Sequence, residues 1–376
     1  MRLGIVGGGQ LAQMMIQAAI SLGIEVDVLA SQSDTAAPRY ATSSTTVPAF
    51  DAPNLQRFID GCDFVTFDHE VIEAKILRSL SGYATKVFPS PDTLELSSRK
   101  ATCRKLMLDL GLPAPKFEIA TNITQLRRAI NRIGLPVIVK SSFGGYDGRG
   151  VFEVNSNSDL DQLQVHLPAD FEVVVEEMVE IEKELSIIVV RDKAGNIKSY
   201  PLLETLQEQQ MCSEVYFPVH VSNFVAQRAQ QIAEAVANAV GSVGVLAVEM
   251  FLTRDGEVIV NELAPRPHNS GHLTIEAMVT SQFENHVRAV CSLPIGSVAP
   301  QFKAATMANL IGVEGELDQE SGRIAALEVE GVHLHLYGKE NRSRRKIGHI
   351  TAVGDNAKET IEEARRARNL FLGVTN

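Results

Sequence analysis

Short apolar runs alternate with glycine turns and stretches of helical spacing through the first hundred residues. Leu3-Gly-Ile-Val6 predicts a buried strand, Leu11 to Leu22 a helix closed by Gly23, and Ile24 to Leu29 a second strand. Phe64 to Phe67 and Lys86 to Phe88 predict further strands of one sheet, and Pro89 and Pro91 close the region. The turn reads Gly7-Gly-Gly-Gln-Leu-Ala12, a GxGxxA pattern between strand and helix. That β-turn-α-β order predicts a Rossmann-like first domain, with a phosphate site at the helix N-terminus. A dinucleotide site also needs an acid at the end of the second strand. Here the strand ends Leu29-Ala30-Ser31 and the next acid is Asp34, which weakens an NAD-binding oxidoreductase reading.

The pattern then changes. Leu94 to Leu110 predicts one helix whose Arg99, Lys100, Arg104 and Lys105 read as a mostly solvated basic face. Gly111-Leu-Pro-Ala-Pro115 breaks the chain into a new unit. Lys116 to Ala120 predicts a strand, Ile123 to Ile133 a helix, and Val137 to Val139 a strand delivering Lys140 into a loop with Gly144, Gly145, Gly148 and Gly150. A lysine supplies a point charge, and glycines let backbone N–H groups approach a polyphosphate. The lysine precedes the glycines, so this is not a P-loop. A glycine-rich hairpin turn is the plain alternative, but Tyr146, Asp147 and Arg149 exceed what a turn needs. Leu160 to His166 predicts a short helix and Phe171 to Val179 a strand ending in acids. Residues 115 to 183 have the size and boundaries of a mobile lid.

Farther on, Glu184 to Val190 is an apolar strand, Ile197 to Leu203 its return after a turn at 192 to 196, and Ala226 to Val243 a long helix. Leu246 to Leu252 and Val258 to Leu263 flank Asp255-Gly256, a strong hairpin signal. Glu249 and Glu262 interrupt these apolar strands, where a carboxylate is costly unless paired or on a metal. Two carboxylates without His or Cys select a hard ion, and beside phosphates that ion is Mg²⁺. Two solvent-facing acids on an edge hairpin are the alternative. The following run, Leu263-Ala-Pro-Arg-Pro-His-Asn-Ser-Gly-His272, places Arg266, His268, Asn269, Ser270 and His272 where they can face an anion. Val332 to Tyr337 and Ile347 to Val353 predict a hairpin with a basic tip, and Thr360 to Leu370 a closing surface helix.

Composition narrows the partners. The chain has 376 residues, enough for two or three packed units, with ordinary hydrophobic (45%) and charged (22%) content. A net charge of −11 argues against nucleic acid or an anionic membrane surface. No apolar run reaches the roughly 20 residues of a membrane span. Met1-Arg-Leu-Gly-Ile-Val-Gly7 leads straight into a strand rather than a signal peptide. The four cysteines show no paired spacing, which fits a cytoplasmic setting.

A lysine strand, a glycine lid, an acidic strand end and two hairpin carboxylates together resemble the ATP-grasp ligases. Within them the chain is most similar to the N5-carboxyaminoimidazole ribonucleotide synthase family. Gly7-Gly-Gly-Gln-Leu11, Gly144-Gly-Tyr-Asp-Gly-Arg-Gly150, Asn261 to His272, His333-Leu-His-Leu-Tyr-Gly-Lys339 and Arg345-Lys-Ile-Gly-His349 carry that resemblance across nearly the whole chain. It implies an α/β ATP-grasp fold in three parts: a Rossmann-like, pre-ATP-grasp domain (1–98), the ATP-grasp domain (99–318) and a small C-terminal domain (319–376). It implies ATP-dependent joining of bicarbonate to 5-aminoimidazole ribonucleotide through carboxyphosphate, with Mg²⁺, in a protein that is commonly a homodimer.

Site roles follow from the same resemblance. Lys100 (or Arg99) and Lys140 are expected on the ATP phosphates, beneath Gly145, Tyr146, Asp147, Gly148, Arg149 and Gly150. Glu176, Glu177, Met178 and Val179 are expected to form the adenine edge, with Glu184 on the ribose and Gln207 and Asn261 nearby. Glu249 and Glu262 hold the metal. Asp147, Arg149, Arg266 and His268 face the carboxylation chemistry, while Gly9, Gln10, Lys339, Arg345 and Lys346 hold the ribonucleotide.

Three positions depart from the family pattern. Tyr200-Pro-Leu-Leu-Glu-Thr-Leu-Gln207 has Thr205 and Gln207 where the family usually has Asn and His. Lys100 stands where an arginine is common, which keeps the charge but not the bidentate geometry. Other classes consistent with parts of the sequence are a different ATP-grasp ligase, an NAD-dependent oxidoreductase, and a non-catalytic nucleotide-binding regulator.

Overall fold

The structure is a computed structural model and describes residues 1–143, 150–168 and 170–374. The chain opens as β1 (Arg2–Val6), α1 (Gln10–Ser21), β2 (Glu25–Ser31), β3 (Ser43–Val47), α2 (Ala52–Asp60), β4 (Phe64–Phe67), α3 (Ala74–Arg78), α4 (Tyr83–Lys86) and α5 (Pro91–Ser98). Its four strands form a parallel sheet in the order β3-β2-β1-β4. The Rossmann-like pattern thus forms: Leu3, Ile5, Val26 and Val28 are buried on one face and Val6, Leu29 and Val65 on the other, so the sheet needs cover on both. At the turn, Gly7 has φ +100, and a Cβ there would lie 1.7 Å from Asp68 Oδ1. Only glycine fits.

Two differences from the sequence pattern appear here. Lys86 to Phe88 is not a strand: α4 ends at Lys86, and Val87 makes one parallel bridge to Val65. The polar run Ser43–Val47 does form a strand, on the sheet edge, where four of its five residues stay exposed. Hydrophobicity could not have marked it.

The predicted helix from Leu94 to Leu110 is two helices, α5 and α6 (Lys100–Asp109). Arg99 between them is extended and bridges to Phe143, while the Lys100 N–H donates to the Ser142 carbonyl at 2.8 Å. Tertiary pairing with the strand end bearing Lys140 therefore overrides helix propensity at one residue.

The region expected to form a lid follows as β5 (Phe117–Ala120), α7 (Ile123–Ile133), β6 (Val137–Ser141), β7 (Val151–Val154), α8 (Asn157–His166) and β8 (Val173–Glu177). Its antiparallel sheet, ordered β5-β8-β6-β7, buries its own core of Val137, Val139, Val175, Leu126 and Leu160. Helix α8 begins with a capping box in which Ser156 and Asp159 satisfy each other's backbone donors.

The remainder is β9 (Ile181–Arg191), β10 (Ile197–Ser199), β11 (Leu203–Glu208), β12 (Met211–Phe217), α9 (Asn223–Val240), β13 (Gly244–Thr253), β14 (Val258–Ala264), α10 (Thr274–Ala277), α11 (Gln282–Val290), β15 (Ala304–Ile311), α12 (Gln319–Leu327), β16 (Val332–Leu336), β17 (Lys346–Gly354) and α13 (Ala357–Leu372). The return predicted over 197 to 203 is thus two strands, β10 and β11. They pair with different parts of β9.

One sheet of nine strands runs β14-β13-β9-β11-β12-β15-β17-β16, with β10 beside β9. The C-terminal hairpin β16–β17 is therefore continuous with the central sheet, since β17 pairs along the length of β15. A division after residue 318 falls between those two paired strands.

That hairpin also docks on the first domain. Gln13 Nε2 donates to the Leu336 carbonyl at 3.1 Å, and an Arg39 guanidinium N–H to the Gly338 carbonyl at 3.3 Å. Another contact between domains is buried. The His286 ring on α11 lies 2.7 Å from Thr66 Oγ1 of β4, and its Nδ1 accepts from the Val245 N–H of β13 at 3.1 Å.

Burial lowers the His286 pKa to about 3 from 6.5. The folded state therefore binds fewer protons than the unfolded state between those values. This group's contribution is full above pH 6.5 and falls by about 1.4 kcal/mol per pH unit below it. Thermal or urea unfolding between pH 4 and 8 should show this acid-side loss, and His286→Gln should reduce it by one group's share, leaving that of the buried His272 and His349.

Candidate active site

The site is built on one face of the central sheet. Opposed residues of an antiparallel ladder share a face, and the register aligns Glu249 of β13 with Glu262 of β14 and with Ser186 of β9. Glu184, two residues before Ser186, opposes Phe251 and Thr205 on that face. Between Glu249↔Glu262 and Met250↔Val260 the strand β14 carries one extra residue, Asn261. That bulge re-aims Asn261, whose Oδ1 accepts from Lys140 Nζ at 3.1 Å.

The two carboxylates crowd each other. Burial, then the charges of Glu262 and Glu184, push Glu249 up to about 8, against the opposing pull of Lys346 and Lys100. Lys100 Nζ donates to Glu262 Oε1 at 2.5 Å, and His268 Nε2 lies 3.2 Å from Glu249 Oε1. Among the described residues no group of three or more His, Cys, Asp or Glu side chains is arranged to hold a metal. Two carboxylates suffice for Mg²⁺, which keeps water and substrate phosphate oxygens as its other ligands. The all-oxygen donor set and the raised Glu249 pKa fit a divalent cation, which would relieve the repulsion.

Lys140 arrives from the lid. On β6, Val137 and Val139 face the lid core, so the alternation of a strand turns Ile138 and Lys140 to the other side. There Lys140 Nζ pairs with Glu176 Oε2 at 2.7 Å, and the opposite carboxylate oxygen takes Arg104 Nε at 2.6 Å. An Arg104 N–H also donates to the Asn261 carbonyl at 2.7 Å. Arg104 is therefore not part of a solvated face: it is 2% exposed and joins α6, the lid and β14. Burial alone would raise the Glu176 pKa, but Lys140 and Arg104 overcome it and hold the group below its usual range.

Glu176 and Glu177 sit within sheet pairing, and Glu177 Oε1 accepts from the Lys116 N–H at 2.9 Å. Met178 and Val179 lie beyond the end of β8. They line a cavity of about 600 Å³ with Glu180, Arg254, Asp255 and Ile259, and that lining includes none of Lys140, Glu184, Glu249 or Glu262. Glu184 is raised by burial, opposed by a hydrogen bond from Gln207 and by Lys140. The departure at Gln207 thus gives the expected ribose carboxylate a neutral partner, and Thr205 packs buried beside it.

At the other end, the Gly9 N–H donates to Asp68 Oδ2 at 2.6 Å, and Gln10 Oε1 accepts from Lys339 Nζ. Burial, then Arg345, lower Lys339 to about 8, with Lys346 adding to the effect and Asp68 and Asp34 opposing it. Lys339, Arg345 and Lys346 are therefore one electrostatic cluster, facing the first helix turn. Arg266 reaches Glu70 with two bonds, Nε to Oε2 at 2.5 Å and a terminal N–H to Oε1 at 3.0 Å. Asp34 accepts from the Ser31 N–H at 2.8 Å and so closes the end of β2.

The run 266 to 272 does not all face the site. His268 does, through Glu249. Ser270 and His272 are buried, and Asn269 exchanges hydrogen bonds with the amide of Asn309. Ser270 Oγ lies 2.9 Å from His268 Nδ1 and 2.8 Å from Ser186 Oγ. These residues support the loop from behind. Sequence reasoning missed Asp68 and Glu70, although they directly follow β4, where ligands gather at the carboxyl ends of parallel strands. Gly150 is placed at the base of its turn, its carbonyl accepting from the Ser141 N–H at 2.8 Å. Gly145, Tyr146, Asp147, Gly148 and Arg149 lie outside the described residues.

This arrangement has known counterparts. The ATP-grasp domain family matches residues 105–283, the ribonucleotide synthetase preATP-grasp domain family residues 1–98, and the phosphoribosylaminoimidazole carboxylase C-terminal domain family residues 305–363. The N5-carboxyaminoimidazole ribonucleotide synthase of Mycobacterium tuberculosis is 36% identical over 371 residues, covering 97% of this chain and 86% of that protein. The chain belongs to the N5-carboxyaminoimidazole ribonucleotide synthase family.

The family member from Bacillus subtilis is 34% identical, covering 96% of this chain and 93% of that one. Among solved structures, an ADP complex of an N5-carboxyaminoimidazole ribonucleotide synthetase superposes with a TM-score of 0.90 at 33% identity, covering 97% of this chain and 96% of that one. The Aspergillus clavatus enzyme in complex with ADP and 5-aminoimidazole ribonucleotide gives 0.90 at 29% identity, with 98% of each chain covered. Membership in the N5-carboxyaminoimidazole ribonucleotide synthase family makes the chain an ATP-using ATP-grasp ligase of purine biosynthesis.

The buried triad of Arg104, Glu176 and Lys140 yields a stability test. Glu176→Gln leaves Arg104 as an uncompensated buried charge and should cost about 3 kcal/mol in urea denaturation. Lys116→Ala, at the exposed Lys116–Glu177 pair, should cost about 0.5 kcal/mol or less.

Proposed function

We propose that the chain joins bicarbonate to the exocyclic amine of 5-aminoimidazole ribonucleotide at the expense of ATP, forming the N5-carboxy product, ADP and phosphate. The observation that carries this reading is the position of Glu249. Its carboxylate feels Lys100 at the nucleotide end and Lys346 at the ribonucleotide end. One carboxylate pair thus stands between an ATP-type lysine set and a basic pocket suited to a phosphate monoester.

Bicarbonate is a poor electrophile, so it first takes the γ-phosphoryl group of ATP through one of its oxygens, giving carboxyphosphate and ADP. The amine then bonds to the carboxyl carbon, phosphate leaves, and the amine loses a proton. Lys140 and Lys100 neutralise the phosphates, and Lys339, Arg345 and Lys346 hold the ribonucleotide phosphate near Gly9 and Gln10. Arg266 and His268 border the reacting carboxyl group. Glu249 and Glu262 would hold Mg²⁺, which supplies charge neutralisation on the transferring phosphoryl group, and Asn261 stands on the nucleotide side. Met178 and Val179 offer main-chain groups to the base, and Glu184 takes ribose hydroxyls. Asp147 and Arg149 are assigned by resemblance to the carboxylation side of the glycine loop. The working division is 1–98, 99–318 with a lid near 115–183, and 319–376. A homodimer in the cytoplasm completes the reading. No described helix is long and apolar enough to cross a membrane.

ADP formation measured with each substrate left out should require both bicarbonate and the ribonucleotide. Glu262→Gln should lower the rate by about 100-fold or more, since it removes preorganised charge at the phosphoryl group. Robust turnover without the ribonucleotide, insensitive to that substitution, would sink the assignment. Asp147→Asn should preserve ATP affinity in calorimetry and depress turnover. Loss of affinity instead would move Asp147 to the nucleotide.

A further inference from the structure

Gln282 begins α11 and has no exposed surface. Its carboxamide is spent on the loop that bears His268. Oε1 accepts from the His268 N–H at 2.9 Å, and Nε2 donates to the His268 carbonyl at 2.7 Å. The same Nε2 lies 3.3 Å from His272 Nδ1. One side chain therefore engages both main-chain polar groups of His268. A second clasp lies beside it: the Gln282 N–H donates to Thr274 Oγ1 at 2.9 Å, and that hydroxyl donates to the Gly271 carbonyl at 2.6 Å.

Gly271 is shaped to this amide. A Cβ there would lie 2.5 Å from Gln282 Oε1 and 2.6 Å from its Cδ, so any side chain must displace the carboxamide. With its backbone clamped, His268 presents Nε2 to Glu249 and Nδ1 to Ser270.

We propose that Gln282 is the positioning residue that holds His268 at the carboxyl-transfer site and thereby limits loss of the activated carboxyl group to water. This rests on the reaction proposed above. An amide bonded to both the N–H and the C=O of one residue fixes that residue's place from both sides of its backbone. Carboxyphosphate that is not captured by the amine hydrolyses to bicarbonate and phosphate. A loosened His268 therefore raises phosphate release without matching consumption of ribonucleotide.

Two variants of the full chain test it. Gln282→Met keeps length and removes every bond of the amide. Gly271→Ala leaves Gln282 in place and pushes the amide aside. With ATP, Mg²⁺, bicarbonate and 5-aminoimidazole ribonucleotide, the parent should release about one phosphate per ribonucleotide consumed. Both variants should release at least about threefold more per ribonucleotide and consume it about 10-fold more slowly or worse, with the ATP KM within about twofold, as expected for lost orientation.

Amide hydrogen exchange at His268 supplies a readout independent of activity. Protection should fall about 10-fold or more in both variants, while the Val245 amide bonded to His286 stays protected. Folded variants that keep parental stoichiometry, or parental His268 protection, overturn the proposal. If a variant loses Val245 protection as well, it has unfolded broadly, and Gln282→Glu, which keeps the acceptor and loses the donor, decides in its place by the same ratio and the same exchange. A parent that consumes no ribonucleotide would instead refute the proposed reaction, and the His268 exchange would still decide whether the clamp exists.

Discussion

Two carboxylates face each other across a hairpin whose other positions are largely apolar, and both are drawn into a single electrostatic field. Glu249 cannot ionise easily beside Glu262 and Glu184. The basic groups that bear on the pair come from several distant parts of the chain. Lys100 comes from the first turn of α6, His268 from the loop after β14, and Lys346 from the start of β17. A repulsive pair of this kind attracts cations, and the fold answers by converging its bases on one face of one sheet. Glu262 also feels Arg266, which is bound in turn to Glu70 of the first domain.

The same convergence explains why the C-terminal hairpin belongs to the central sheet. Lys339, Arg345 and Lys346 would be a solvated tip on an isolated hairpin. Continuity of β15, β17 and β16 with the strands that bear Glu249 and Glu262 carries that tip to the helix N-terminus at Gly9 and Gln10. The contacts of Gln13 and Arg39 with residues 336 and 338 hold it there. Partial burial then lowers Lys339, because three cations share a small volume. An anion is the species that would balance them.

Behind the site lies a polar interior without a reacting group. His272 and His349 stand with ring centroids 4.9 Å apart, His335 stacks on His349 at 4.4 Å, and Tyr337 Oη lies 2.8 Å from His349 Nδ1. Burial holds His272 and His349 well below the ordinary histidine pKa. His272 and His349 are thus held neutral behind the loop, while His268 of that run reaches Glu249. A charged and polar sequence run therefore divides into one residue at the chemistry and several that support it.

Local pattern was enough for much of this protein. An apolar run delivered Lys140 to its glycine loop, the Asp255-Gly256 turn set Glu249 against Glu262, and the GxGxxA turn announced the first parallel unit. These features depend on period and turn chemistry, which neighbouring residues fix among themselves. Other features depend on residues far apart in the chain. Arg104 looked like surface charge because its partners, Glu176 and the Asn261 carbonyl, are 72 and 157 positions away. Arg99 interrupts a helix because Phe143 pairs with it, and Ser43–Val47 is a strand because β2 presents an edge. Gln282 carried no signal, since its value lies in where its amide is placed. The sequence alone determined which residues could hold charge on which face. Tertiary structure decided which of them are buried together, because burial and long-range pairing set the cost and the purpose of each charge.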